Sequence, residues 1–267
     1  MNRLERAIDQ IDPGLSARLR MWKMCLHRDV SRLLVREMLR PGEVGVDIGA
    51  NRGVYTHIMS VSVGHKGHVH AMEPFPGTCA RLHTLARRRG NITVHELAVS
   101  DHSGRGVLRI PVHHGHPIDA LASLEPSART DRDSCTVPLS TLDELLAGER
   151  RVSFLKCDVE GHEQHVFEGA ARILDRDHPV VLTEVEQRHR DDPIESTFAL
   201  LADARYRGWF IAEGGLRPLE EFDVDRDQLH FLGSQFIPYE MPSGYVYDFL
   251  FCPPGIAPPP WSHSRKC

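Results

Sequence analysis

The stretch V-G-V-D-I-G-A-N-R-G-V-Y-T (44–56), followed by K-G-H-V-H-A-M-E-P-F (66–75), decides the fold. Val44 to Ile48 reads as a short apolar strand with Asp47 near its end. A tight turn, Gly49-Ala50-Asn51-Arg52-Gly53, follows, and an amphipathic helix leaves it with Val54, Ile58 and Met59 on one side. Gly67 to Met72 reads as a second strand that ends on Glu73. Strand, glycine turn, helix, strand, acid is the unit that holds a nucleoside-type ligand in an open parallel sheet. Glycine serves where the backbone needs positive φ and where a ligand lies against the main chain. A carboxylate closing the second strand can accept both hydroxyls of a ribose.

The kind of nucleoside is narrowed by what the turn lacks. A dinucleotide site shows G-x-G-x-x-G, so that amides at the helix start can approach a pyrophosphate. Here the turn is G-A-N-R-G, with Asp47 just before the first glycine. Negative charge there repels a pyrophosphate and suits the ammonium of a methionine moiety. The cofactor implied is S-adenosylmethionine.

The 267 residues suffice for one substantial α/β domain. Hydrophobic content of 41% and charged content of 26% are ordinary for a soluble globular chain. A formal net charge of −5 gives no global field favouring a nucleic-acid backbone. No apolar run approaches a bilayer span, and Met1 to Glu5 does not open a signal peptide, so no membrane partner is expected. Cys25, Cys79, Cys135, Cys157, Cys252 and Cys267 show no C-x-x-C spacing, which argues for reduced thiols and a cytoplasmic location.

Outward from the opening stretch, residues 1–40 read as an N-terminal helical cap. Val30, Leu33, Leu34 and Met38 fall at helical spacing after Asp29, and Pro41-Gly42 stops the run. Trp22, Met24 and Leu26 suit core packing or a homodimer contact better than a substrate entrance. After Pro74-Phe75-Pro76 a helix runs to Arg89 with Cys79, Leu82, Leu85 and Ala86 inward. Arg87-Arg88-Arg89 reads as a basic last turn that complements the helix dipole. Ile92 to Leu97 is the third strand, and Val107–Val112 and Cys135–Leu139 read as two more. Between those two lie His113, His114 and His116, with no cysteine or paired acid at metal-finger spacing, so they read as a solvated loop. Residues 104–140 form an insertion suited to substrate recognition, and Thr141 caps a short helix.

The second informative stretch is V-S-F-L-K-C-D-V-E-G-H-E-Q-H-V-F-E-G-A-A-R-I-L (152–174). Phe154 and Leu155 are strand core, and one helix follows with Val166, Phe167, Ala170, Ile173 and Leu174 buried. Ligands in open α/β sheets sit beyond the carboxyl ends of the strands, which groups Lys156, Asp158, Glu160, His162 and Glu163 at the chemistry. His162 and His165 are three apart, unlike the pair in H-E-x-x-H, so a zinc-protease reading fails. Pro179 to Thr183 is the fifth strand with Glu184 at its end, and Ser196 caps a helix to about Arg205. Trp209–Ala212 and Tyr245–Phe251 read as a closing antiparallel pair, and residues 253–267 as an irregular proline-rich tail.

Six pieces stand in order: V-D-I-G-A-N-R-G-V-Y-T (46–56), M-E-P-F-P (72–76), L-A-V-S-D (97–101), S-T-L-D-E-L (140–145), L-K-C-D-V-E-G-H-E (155–163) with Gly169, and L-T-E-V (182–185). As an ordered set they resemble the FkbM family of S-adenosylmethionine-dependent methyltransferases. The resemblance implies an α/β fold: a doubly wound, mostly parallel seven-stranded sheet of the Rossmann-like class I methyltransferase type over residues 41–252. One strand near the C-terminus would be reversed. It also implies methyl transfer to an oxygen, commonly a hydroxyl of a sugar moiety or secondary metabolite. By match, Asp47, Gly49, Asn51 and Gly53 hold the methionine end, Glu73 the ribose, and Ala98 to Asp101, with Ser100 among them, lie near the adenine. Ala50, Tyr55, Thr56, Pro74, Phe75 and Asp158 complete the implied cofactor set. Cys157 and Arg52 depart from the family pattern, which has an aliphatic residue at the first position and an apolar or small one at the second.

Methyl transfer to an alcohol needs in-line placement, exclusion of water and removal of a proton. Asp158 is the first candidate to contact the acceptor, His162 a candidate base, and Glu184 a second acid across the site. His162 could equally be a surface residue at a helix start, and Glu160 and Glu163 suit helix-start stabilisation. Asp158, Glu160 and Glu184 could gather a divalent cation, but no bound metal is expected. Three rivals stand beside this reading. An RNA or protein methyltransferase is weakened by the acidic net charge and the missing N-P-P-Y-like tetrad. An NAD-type oxidoreductase is weakened by the turn chemistry, and a non-catalytic scaffold by the retained acids at 47, 73 and 158.

Overall fold

The computed structural model describes residues 30–113, 116–117, 122–125, 132–212, 215–232 and 242–260. The expectations placed on Trp22, Met24, Leu26 and the histidine-loop side chains lie outside these residues. In chain order the elements are α1 (Val30–Met38), β1 (Val44–Ile48), α2 (Val54–Val63), β2 (His68–Met72), α3 (Pro76–Arg89), β3 (Ile92–His95), β4 (Ala98–Val99), β5 (Gly104–His113), β6 (His116–Pro117) and β7 (Arg132–Ser140). They continue with α4 (Leu142–Leu145), β8 (Val152–Cys157), α5 (Glu163–Glu168), α6 (Ala171–Asp177), β9 (Val180–Glu184), α7 (Glu195–Asp203), β10 (Arg207–Ala212), β11 (Gly215–Pro218), α8 (Val224–Asp227) and β12 (Asp248–Cys252).

The main sheet runs β11-β10-β12-β9-β8-β1-β2-β3. Strands β1, β2, β3, β8 and β9 pair in parallel, while β12 is antiparallel to both β9 and β10. This is the expected doubly wound sheet with one reversed strand, and β11 adds an eighth, edge strand by hairpin pairing with β10. Both faces are covered, so the central strands read as continuous apolar runs. On one face, Leu34, Val35, Ile58, Met59 and Leu82 from α1, α2 and α3 pack on Val69, Ala71, Phe154 and Leu182. On the other, Val166, Phe167, Ile173, Phe198 and Leu201 from α5, α6 and α7 pack on Val46, Ile48, Leu155 and Val181. Cys157 is fully buried among these and fills the place of an aliphatic side chain. No described helix is long and apolar enough to cross a membrane.

The chain order reverses between β1's neighbours: β2 lies on one side and β8 on the other. A crevice therefore opens beyond the carboxyl ends of β1 and β8, and the informative motifs all reach it. The two strands expected in the insertion are present and longer than expected. Strands β4, β7, β5 and β6 form a second sheet whose own core is Ala98, Leu108, Ile110, Val137 and Leu139.

Several local expectations need correction. The N-terminal helix is described over Val30–Met38, and residues 1–29 of the expected cap lie outside the described residues. The third strand stops at His95, and Ala98–Val99 joins the insertion's sheet instead. Ser196 does not cap α7; it lies inside the first turn, where its hydroxyl donates to Gln164 Oε1 at 2.7 Å. Arg89 does more than complement a dipole, since its Nε donates to Ser60 Oγ of α2 at 2.8 Å. Thr141 does cap α4, accepting from the Glu144 amide.

The helix expected over 163–174 is broken at Gly169 into α5 and α6, because Gly169 lies against the Ser100 carbonyl. A Cβ on Gly169 would sit 2.0 Å from that oxygen. The break exposes new helix-start amides, and Asp143 satisfies two of them, accepting from Arg172 N at 2.8 Å and Ile173 N at 2.9 Å. Gly169 has φ −76, so alanine there meets no dihedral penalty and tests the contact alone. Gly169→Ala is expected to lower unfolding stability by about 1–3 kcal/mol through overpacking. Gly148→Ala, which has open space, should stay within about 0.5 kcal/mol in urea titrations. Equal stability of the two variants would contradict the close approach.

Candidate active site

Three residues of the first turn have positive φ: Gly49 at 76°, Asn51 at 46° and Gly53 at 81°. The turn is tied to β2, because the amides of Gly49 and Ala50 both donate to the Met72 carbonyl at 3.0 Å. Gly49 also packs on β8: a Cβ there would lie 1.8 Å from the Asp158 carbonyl oxygen. Glu73 is held by two amides, Oε2 accepting from Asn51 N and Oε1 from Phe75 N, each at 2.8 Å. Burial pushes its pKa up, and those two amides pull against the shift. Each oxygen keeps a lone pair for a further donor.

Asp47, 2% exposed, accepts from Thr56 Oγ1 at 2.5 Å. Burial raises its pKa to about 6, although the Thr56 bond and the Lys156 ammonium both favour its ionised form. Lys156 stands beside it on the neighbouring strand. Its Nζ lies 3.1 Å from Glu184 Oε1, 3.5 Å from Asp158 Oδ2 and 5.0 Å from the centre of the Tyr55 ring. Burial works against the ammonium, but Asp158 and Glu184 outweigh it and hold its pKa well above the ordinary lysine value. Glu184 is pushed well up, first by burial and then by Asp158. One cation thus serves several acids, and the cluster is negative overall.

These groups stand at or behind a cavity beyond the carboxyl ends of β1 and β8. Its lining includes Gly49, Asn51, Glu73, Pro74, Ala98, Asp158 and His162 from the expected set. Asp47, Ala50, Gly53, Tyr55, Thr56, Phe75, Ser100 and Glu184 stand outside that lining. Thr56 braces Asp47, Tyr55 lies under Lys156, and Phe75 packs into the insertion's core. Ser100 is fully buried behind the wall, 3.0 Å from His162 Nε2. His162 is not the surface residue it could have been: it is 8% exposed, and its Nδ1 lies 2.6 Å from Glu125 Oε1. Both ring nitrogens are engaged, Nε2 by Ser100 and Nδ1 by Glu125.

Two features were missed by sequence reasoning. The outer wall is made by Leu108 and Ala122–Leu124 of the insertion, where isolated leucines in polar surroundings were the available signal. Glu160 does not serve the helix start; it lines the cavity with φ 54, a conformation that a non-glycine residue rarely holds. Its Oε2 lies 2.8 Å from His189 Nε2, and Glu186 Oε1 lies 3.3 Å from the same nitrogen. Burial opposes the His189 charge, but Glu160 and Glu186 outweigh it and bring its pKa to about 9. Burial would raise Glu186, yet His189 and Arg188 hold it at about 2. Glu160 is itself raised by burial, with His189 opposing. Nothing in the spacing from 160 to 189 announces this pair. Glu163 does take the expected role, accepting from the Gly161 amide at 2.9 Å.

Comparison with known proteins then bears on identity. We found no curated protein that matches the chain. Similar solved structures include methyltransferase FkbM from Methylobacillus flagellatus KT, with 17% identity, 81% of this chain and 49% of that one covered, and a TM-score of 0.49. This chain therefore spans about half the length of that protein. Others are fibrillarin of Aeropyrum pernix with natively bound S-adenosyl-L-methionine (15% identity, 80% and 68% covered, TM-score 0.45) and precorrin-6y C5,15-methyltransferase of Geobacter metallireducens GS-15 (12%, 84% and 87%, 0.45). The family model of the methyltransferase FkbM domain matches residues 47–207, well over half of the chain. The protein belongs to the FkbM family of S-adenosylmethionine-dependent methyltransferases.

Proposed function

We propose that this enzyme methylates a hydroxyl oxygen of a small molecule, a sugar moiety or a secondary metabolite. The observation that carries the reading is the placing of three carboxylates on one cavity. Glu73, presented by two amides, suits a ribose, while Asp158 and Glu160 face the same space from the β8–α5 turn.

The residues present fit the cofactor. Asp47, Gly49, Asn51 and Gly53 would hold the methionine end, with the excess negative charge around Lys156 favouring a cationic ligand. Glu73 would take the ribose hydroxyls, and Leu97, Ala98 and Val99 would flank the base. When bound, the cofactor supplies a sulfonium-activated methyl group open to in-line displacement. The protein's own residues orient the acceptor, exclude water and take its proton. Asp158 would hold the acceptor hydroxyl. Glu160, backed by His189, offers an acid–base group on the same wall, and His162 would brace that wall. Glu184 would act through Lys156 rather than on the acceptor. Lys156 already fills the space between Asp158 and Glu184 that a divalent ion would take, so the reading invokes no metal.

The direct test is calorimetric titration with S-adenosylhomocysteine against NAD, followed by transfer from radiolabelled S-adenosylmethionine to glycosides and polyketides. Saturable binding of the homocysteine compound alone is expected; binding of NAD instead would overturn the reading. Glu73→Ala should weaken S-adenosylhomocysteine at least tenfold, about 1.4 kcal/mol. Asp158→Asn should leave that affinity within about threefold while cutting transfer by about 100-fold or more. Equal loss of binding in both variants would refute the division of roles.

A pH series tests Asp47. Its pKa of about 6 means that the free protein takes up a proton there as pH falls below 6, whereas an ammonium beside it favours the ionised form. Affinity for S-adenosylhomocysteine should therefore be flat above pH 7 and fall by about tenfold per unit below pH 6. Asp47→Asn should bind weakly with a flatter profile. A wild-type affinity unchanged down to pH 5 would remove Asp47 from the cofactor site.

A further inference from the structure

The insertion reaches across the cavity at residues 122–125. Ser123 pairs with Arg109 of β5 through amide–carbonyl bonds in both directions, 2.8 and 3.0 Å long, and Arg109 Nη1 donates to the Leu124 carbonyl at 2.8 Å. This fixes Ala122, Ser123 and Leu124 along the edge of β5, where all three line the cavity across from Glu73 and Asp158. Two side chains then reach to the β8–α5 wall. Ser123 Oγ donates to the Glu160 carbonyl at 2.7 Å, and the Glu125 carboxylate meets His162 Nδ1 at 2.6 Å. The Glu125 amide donates back to Ser123 Oγ at 3.1 Å, which couples the two contacts. His162 is held from behind by Ser100, so Glu125 meets a ring already oriented.

The space under the strap suits a nucleobase. Leu97, Val99, Leu108 and Leu124 all line it and offer apolar surface to a flat ring. We propose that residues 122–125 are a cofactor-binding strap over the nucleoside half of the cavity, clasped by Glu125–His162 and Ser123–Glu160. The insertion then serves the cofactor as well as the acceptor, and the clasp must open before a nucleoside ligand leaves. This rests on the S-adenosylmethionine reading above. His162 lowers the Glu125 pKa against the effect of burial, consistent with a carboxylate that stays charged in the clasp.

A metal at the same place is a poorer account. Glu125, His162 and His165 do bring ligand atoms within 4.8 Å of one another. However, the two imidazoles stack, with centroids 4.5 Å apart and planes only 30° apart. In-plane lone pairs on rings so arranged run side by side and do not converge on one ion.

The test follows S-adenosylhomocysteine release from the full chain by surface plasmon resonance. Glu125→Gln keeps the shape and removes the charge; it should release the ligand about tenfold faster, with association changed less than about twofold. Ser123→Ala should do the same to a smaller extent, and both variants should melt within a few degrees of wild type without ligand. Ser123→Ala, a smaller change, decides the matter should Glu125→Gln fail to fold. Unaltered release from wild-type-like variants would overturn the strap alone. Failure of the wild type to bind S-adenosylhomocysteine would sink the cofactor reading, and the strap with it.

Discussion

The carboxyl end of the sheet depends on one buried ammonium. Lys156 is 1% exposed in its side chain, on a central strand, in register with Asp47 on β1 and Leu182 on β9. A charge so placed is costly unless paired, and Asp158 and Glu184 supply the pairing. The dependence runs both ways. Without Lys156, three carboxylates would converge in a poorly solvated space with no counter-ion, and the carboxyl ends of β1, β8 and β9 could not lie together ionised. With it, the cluster keeps a residual negative charge, the polarity that a sulfonium or ammonium needs. Burial lifts Asp47 only as far as about 6 because the Thr56 hydroxyl and the Lys156 ammonium oppose the shift, while Asp158 adds to it.

Steric closeness carries the second constraint. Gly49 touches the Asp158 carbonyl, and Gly169 touches the Ser100 carbonyl, at distances no Cβ tolerates. The first contact locks the glycine turn after β1 to the end of β8, where Asp158 stands. The second draws the α5–α6 helix break onto the loop after β4, so that His162 meets Ser100. Positive φ at Asn51 and at Glu160 falls on two residues that line the same cavity. Strain of this kind persists where surrounding contacts over-determine the backbone, and here Glu73 fixes the Asn51 amide while Ser123 fixes the Glu160 carbonyl.

What was legible in the sequence was whatever is encoded locally. The β1–turn–α2–β2 unit, Glu73 at the strand end, the paired carboxyl-end acids and the Thr141 cap all depend on residues a few positions apart, where periodicity and turn chemistry act. The reversed strand β12 was legible as one half of a closing antiparallel pair with β10, though not its insertion between β10 and β9. Ser196 was misread because a hydroxyl before a helical pattern signals a cap, whereas here Gln164 of α5, 32 positions away, claims it. The break at Gly169 was hidden because Val166, Phe167, Ile173 and Leu174 keep helical spacing across it; a tertiary contact overrode the pattern. Glu160–His189 and Glu125–His162 join residues 29 and 37 positions apart in chain order, and no local rule links them.

The unit that folds is also larger than the unit that carries the motifs. The family match ends at residue 207, at the start of β10. Yet β10 does not pair with β9; β12 lies between them, and its Phe249 and Phe251 pack against Phe198 of α7. The sheet therefore cannot close until residues some forty positions beyond the motifs have returned to its middle. Gln228, fully buried, secures that return: it donates to the Val185 and Val246 carbonyls and accepts from the Gln187 amide. These bonds tie the segment before β12 to the chain just after Glu184, beside the Glu186–Arg188–His189 cluster. The C-terminal residues thus hold in place the loop that supplies His189 to Glu160.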